Sequence, residues 1–107
     1  MISRIWHGWT TPANADLYEA MLKDEIFVGI QNRHIRGFRG IQLLRRDVGT
    51  EVEFATIMAF DSLDAVQQFA GQDYELAVVP DKARAVLSHF DDRSQHYEVR
   101  AERKGGG

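Results

Sequence analysis

Phe38–Phe60 reads FRGIQLLRRDVGTEVEFATIMAF. Two strand-like runs, Phe38–Val48 and Glu51–Phe60, flank Asp47-Val48-Gly49-Thr50, the kind of short glycine-containing connection that closes a β-hairpin. In the second run, side chains alternate between two sets. Val52, Phe54, Thr56, Met58 and Phe60 are mostly bulky, whereas Glu51, Glu53, Ala55, Ile57 and Ala59 are mostly small and apolar. A strand with apolar side chains on both faces needs a cover on each.

Upstream, Met1–Trp9 reads as a strand, again apolar at both parities. Thr10-Thr11-Pro12 marks a helix start, with Thr11 as N-cap and Pro12 at the first helical position. Ala13, Leu17, Met21 and Val28 trace a stripe that Tyr18, Leu22 and Ile26 widen, and the pattern runs to about Arg33 with a break predicted near Gly29. His34-Ile35-Arg36-Gly37 is the exit, Gly37 giving the turn its backbone freedom. Downstream, Asp61-Ser62 caps a second helix through Leu63, Val66, Phe69 and Ala70, which Gly71 ends. Tyr74–Val79 suggests a further helical turn, and Pro80–Leu87 a short helix. His89-Phe90-Asp91-Asp92 reads as a loop, Ser94–Arg100 as the last strand and Ala101–Gly107 as a frayed tail. The order β-α-β-β-α-β implies an α+β, ferredoxin-like domain: a four-stranded antiparallel sheet with both main helices on one face. The other face is then bare. A second copy of the same sheet is its expected cover, giving a homodimeric α/β barrel.

At 107 residues the chain holds one domain. The absence of Cys excludes disulfides, thiolate metal sites and a thiol nucleophile. A net charge of −3 disfavours nucleic acid and anionic membranes as partners. No apolar run spans a bilayer, and Met1–Trp9 has no signal-peptide core, so a cytoplasmic location is expected. Two other classes share this element order. An RNA-recognition module is opposed by the acidic and aliphatic second set of the third strand. An amino-acid-binding regulatory domain would ordinarily accompany an enzyme domain.

Ile2-Ser3-Arg4-Ile5-Trp6-His7-Gly8, Phe60-Asp61-Ser62-Leu63-Asp64-Ala65 and His96-Tyr97-Glu98-Val99 together resemble the antibiotic biosynthesis monooxygenase domain of the dimeric α/β-barrel proteins. The resemblance covers residues 1–100, leaving 101–107 as a tail. It implies a ligand cavity within each subunit, between helices and sheet. Members include cofactor-independent monooxygenases of polyketide quinols and haem-degrading monooxygenases. The former use a Trp at the end of the third strand and an Asn four residues earlier, where this chain has Phe60 and Thr56. The latter bind iron through a His near the second helix, where counting places Val79. The resemblance therefore implies a cofactor-independent monooxygenase of a small aromatic or polyketide-like compound, with no cofactor and no metal. A non-catalytic ligand-binding or stress-associated dimer is the alternative.

The same parity supplies candidate residues. If Phe54, Met58 and Phe60 meet the helices, Ile5, His7 and Trp9 are expected beside them, with His7 as proton acceptor. A one-residue slip in register would bring Trp6 there instead. Thr56 and Tyr74 are the expected polar positioners, and Phe69 completes the apolar walls. Arg4 and Glu53, charges on neighbouring buried strands, are expected to pair. His96 is expected on the barrel side or at a dimer edge, and His34 and His89 in loops. There is no H-x₃-H pair and no HExxH, so no metal site is expected. Arg33, Arg36 and Arg39 form a basic loop, and Gly37-Phe38-Arg39-Gly40 lacks the context of a phosphate loop.

Overall fold

A computed structural model describes residues 1–106. The elements are β1 (Ile2–Thr10), α1 (Pro12–Met21), a wider helical turn at Leu22–Ile26, α2 (Phe27–Asn32), β2 (Phe38–Asp47), β3 (Val52–Phe60), α3 (Leu63–Ala70), α4 (Asp81–Arg84), β4 (His89–Phe90) and β5 (Gln95–Glu98). The sheet is antiparallel in the order β2-β3-β1-β4, and β5 shares the outer edge of β1 with β4. This is the expected α+β ferredoxin-like arrangement, with one revision. The last strand position is filled by two short strands, and His89-Phe90, expected in a loop, pairs with Trp9 and Gly8. No helix among the described residues is long and apolar enough to cross a membrane.

Local chemistry sets most boundaries. The Thr11 hydroxyl accepts from Asn14 N–H at 3.2 Å, and the Ser62 hydroxyl from Ala65 N–H at 3.2 Å, so both expected caps form. Gly37 has φ +86°, and a Cβ there would sit 2.9 Å from that of Ala65, so only glycine fits. The first long helix loosens earlier than expected. Phe27 N–H donates to the carbonyl of Leu22, five residues back, which makes Leu22–Ile26 a π-turn. The buried helical face is also shifted from the expected stripe: Ala15, Tyr18 and Leu22 are buried, while Leu17 and Val28 are exposed. Tyr74–Val79 forms no helix; Leu76 bridges Arg93 instead. Residues 101–106 are exposed and carry no regular structure; Gly107, the end of the expected tail, lies outside the described residues.

The register of β1 with β3 decides which side chains share a face. Ile2, Arg4, Trp6, Gly8 and Thr10 stand opposite Phe60, Met58, Thr56, Phe54 and Val52. This is the helix side, where Phe54, Phe60 and Val52 are at most 1% exposed. Ile5, His7 and Trp9 stand opposite Ile57, Ala55 and Glu53, on the bare face. The expectation that His7, Ile5 and Trp9 meet the helices is therefore corrected, and Trp6 takes the place expected for His7. The Arg4–Glu53 pair is corrected for the same reason: the two point to opposite faces, and Glu53 instead accepts from Arg46 at 2.8 Å.

Candidate functional site

Between the helices and the sheet lies a cavity of about 60 Å³. Arg4, Trp6, Thr56 and Met58 form its floor, and Tyr18, Leu22, Ile26 and Phe27 its helical wall. The π-turn brings three of those four wall residues to the cavity. The side opposite is closed by Phe69, Val78–Pro80, Ala83 and Ser94. The cavity continues outward into a more open space of about 310 Å³ that shares Ile26, Ile30, Phe69, Val78 and Pro80 with it. Glu25 and Lys82 face this outer space, and their ion pair of 2.9 Å ties the helix to the Pro80 segment.

Of the expected site residues, Thr56, Met58 and Phe69 line the cavity. Phe54 and Phe60 are fully buried beneath it: Phe54 meets the Tyr18 ring edge-on at 4.9 Å, and Phe60 packs 5.9 Å from Phe69. Tyr74 reaches the site through its backbone, its carbonyl accepting from Arg4, while its ring stands edge-on to His96 at 5.1 Å. His7 lies on the bare face, where its Nδ1–H donates to Asp91 Oδ2 at 2.8 Å. Trp9 stacks on His89 at 4.4 Å on that same face. Among the described residues, no three His, Asp or Glu side chains are grouped to hold a metal ion.

The most unusual group in the site is one that strand parity alone did not single out. Arg4 is 3% exposed and its guanidinium donates to the carbonyls of Tyr74 and Leu76, the latter at 3.3 Å, and to His96 Nε2 at 3.0 Å. It also lies 5.3 Å from the centre of the Phe69 ring, a cation–π contact. Burial lowers its pKa to about 10, which leaves it charged at neutral pH. His96, expected on the other side of its strand, faces Arg4 across the β1–β5 pairing. Burial, then the charge of Arg4, push the His96 imidazole below its ordinary value, so it stays neutral beside the cation. Burial pushes the Tyr18 phenol up, which keeps that hydroxyl a donor. Trp6 is held by its indole N–H, which donates to the Asp91 carbonyl at 2.8 Å.

No family model and no curated protein matches the chain. Solved structures do. A Bacillus cereus protein provisionally named an antibiotic biosynthesis monooxygenase superposes with a TM-score of 0.68 at 14% identity, over 97% of each chain. The haem degrader MhuD of Mycobacterium tuberculosis, solved with two haems in its active site, gives 0.59 at 22% identity, over 97% of this chain and 100% of that one. An Agrobacterium tumefaciens protein gives 0.62 at 19% identity, over 94% and 95%. These likenesses bear out the resemblance at the level of the fold.

Proposed function

We propose that this chain, built on a fold shared with monooxygenase-like proteins, binds a small aromatic or polyketide-like compound in the cavity between helices and sheet and oxidises it with O₂ without a bound cofactor. One observation carries this reading. The cavity is walled by Trp6, Phe27, Met58 and Phe69, a surface suited to a flat apolar body, and it opens outward along one side. In such a reaction the deprotonated substrate itself supplies the electrons: a ring methylene carbon loses two hydrogens and gains one oxygen, and the second oxygen leaves as water. Thr56 and Tyr18 would position the substrate by hydrogen bonds. His7 has no part in this version, because it faces away from the cavity.

Haem fits the site poorly. Its lining contains no imidazole and no thiolate among the described residues, Val79, which counting along the sequence puts near the ligand position of the haem-degrading relatives, has no iron-binding atom, and the inner cavity is far smaller than a porphyrin. Haem is therefore no part of the proposed chemistry. A non-catalytic binding protein is the second reading, favoured by the absence of a carboxylate or imidazole base from the described lining of the inner cavity. Native mass spectrometry of the purified protein, followed by oxygen-electrode assays with hydroxylated anthrones and naphthols, separates the two. A bound aromatic with O₂ uptake supports catalysis. A bound aromatic without uptake supports binding alone, and an empty cavity that accepts none of the compounds refutes both.

The bare face belongs to the same proposal. Ile5, Trp9, Ala55, Ile57 and Ala59 are half-buried there, and Leu44 and Tyr97 are exposed. A second copy laid sheet to sheet would bury them, and the homodimer remains the reading that best accounts for this surface.

A further inference from the structure

Arg4 is a nearly buried cation that no acidic side chain among the described residues offsets; desolvation alone accounts for its lowered pKa. Three of its five N–H groups are used on Tyr74, Leu76 and His96. Nε–H and one Nη2–H are left without a partner among the described residues, and the side chain lines the cavity. Ser94 is 4% exposed, lines the same cavity, and its hydroxyl has no hydrogen-bond partner among the described residues. Because His96 Nε2 accepts from Arg4, the imidazole proton sits on Nδ1, itself buried and unpartnered among them. The described lining of the inner cavity contains no Asp or Glu, and Glu25, which faces the outer space, is paired with Lys82. A fold does not ordinarily sink a guanidinium beside an empty space and surround it with unused donors, since each uncompensated group is costly. The carbonyls of Tyr74 and Leu76 satisfy part of its hydrogen bonding but none of its charge.

We propose that the cavity takes a small organic anion, its carboxylate or enolate oxygen seated on the free N–H groups of Arg4 and on the Ser94 hydroxyl, with its hydrocarbon part against Phe69, Met58 and Trp6. The inference rests on the cavity being the ligand site and not on oxygenase chemistry. The inner cavity, of about 60 Å³, would take the anionic head, and the body of the ligand would extend past Phe69 into the outer space that shares its walls. An Arg there also gives the oxygenase reading a reason for its substrate to ionise, because a fixed positive charge favours the enolate over its neutral parent.

Benzoate and its neutral isostere benzamide test the charge requirement, by calorimetry and by the shift of the Trp6 indole N–H resonance at neutral pH. Benzoate is expected to bind at least about tenfold more tightly than benzamide, the order of a charge-assisted bond over a neutral one. Arg4→Met should erase that preference, and Ser94→Ala should weaken benzoate about threefold to tenfold with little effect on benzamide. Equal binding of the two ligands to the wild type, or an unchanged preference in Arg4→Met, overturns the anion assignment and leaves the cavity reading standing. Failure of both ligands to bind overturns the cavity reading and the anion with it. Should Arg4→Met not fold, the wild-type ratio and Ser94→Ala still decide.

Discussion

Gly8 lies on the helix side of β1, opposite Phe54, and its lack of a side chain leaves the Trp6 indole its place in the cavity floor. A Cβ built there would stand 2.7 Å from Cη2 of Trp6, 3.1 Å from its Cζ3 and 3.0 Å from Cδ2 of Leu87. Carbon atoms in contact prefer about 3.5–4.0 Å, so Gly8→Ala must displace the indole by roughly 1 Å. Leu87 yields readily because its end is a flexible side chain. The indole does not, being tied to the Asp91 carbonyl at 2.8 Å and tilted against Phe90 at 6.0 Å. Overpacking of this kind costs about 1–3 kcal/mol, and breaking the indole bond adds about 1–3 kcal/mol for a buried donor left unpaired. A loss of about 2 kcal/mol corresponds to a fall in Tm of roughly 8 °C or more in a domain of this size. Thermal melts followed by circular dichroism measure it, with the Trp emission of the folded protein as a second readout of indole displacement. Adding Leu87→Ala should recover little, since the Trp6 contact remains. A Gly8→Ala protein melting within about 2 °C of the wild type would refute the packing argument.

Ile57→Glu places a charge in the middle of the bare face without touching the helix side. If two copies pair through that face as proposed, the wild type should have the mass of a dimer by light scattering and the variant half of it with the circular dichroism spectrum preserved, whereas a monomeric wild type or an unchanged dimer in the variant would refute the pairing. His96 binds fewer protons in the fold than in the unfolded chain, because burial and then Arg4 hold its pKa below 6.5. The stability it leaves intact at neutral pH is therefore lost as pH falls through the unfolded value, so the wild type should lose more Tm between about pH 7.5 and 5.5 than His96→Asn. A pH profile the variant does not flatten would contradict this, with Arg4, Tyr74 and Glu75 the groups that face the imidazole. Haem supplied with a reductant should keep its Soret band in the presence of the protein; stoichiometric binding followed by bleaching would contradict the assignment built on Val79.

The fold was legible because parity and punctuation agree. Thr11, Ser62 and Gly37 mark ends that the structure keeps, and the bulky set of β3 does meet the helices. The site was legible only on β3, from Thr56 and Met58, and on α3, from Phe69. The neighbouring strand β1 was assigned one residue out of phase. Periodicity within a strand fixes which residues share a face but not which face, and β1 is apolar in both phases, so nothing in the sequence separated Trp6 from His7. On the helix, Leu22 and Ile26 were read on the apolar stripe, but Phe27 was not, because the π-turn at Leu22–Ile26 departs from the regular 3.6-residue spacing and shifts the residues beyond it, leaving Val28 exposed. Residues 78–80 reach the cavity from a segment read as helical that forms no helix, held instead by Ala77 N–H donating to Asp92 O at 2.9 Å, a contact across the chain that local sequence does not encode.

One signal for the site was present in the sequence all the same. Arg4 sits in a strand otherwise fit for burial on both faces, and only two explanations suit a charge there: a buried counterion or an exposed edge. The counterion expected on the neighbouring strand, Glu53, belongs to the opposite face and is engaged by Arg46. The edge is covered by β5, whose His96 stays neutral and accepts from Arg4 without offsetting its charge. Both structural explanations thus fail at the same residue, and what the fold keeps there is a positive charge with two donors, unpartnered among the described residues, facing a cavity. On the other face of the same strand the expected His7 commits its Nδ1 to Asp91, a pairing that fixes the β4 turn against β1 and leaves the imidazole no route to the cavity. Within one strand, the β1–β3 register puts the charge on the cavity side and the imidazole on the bare face.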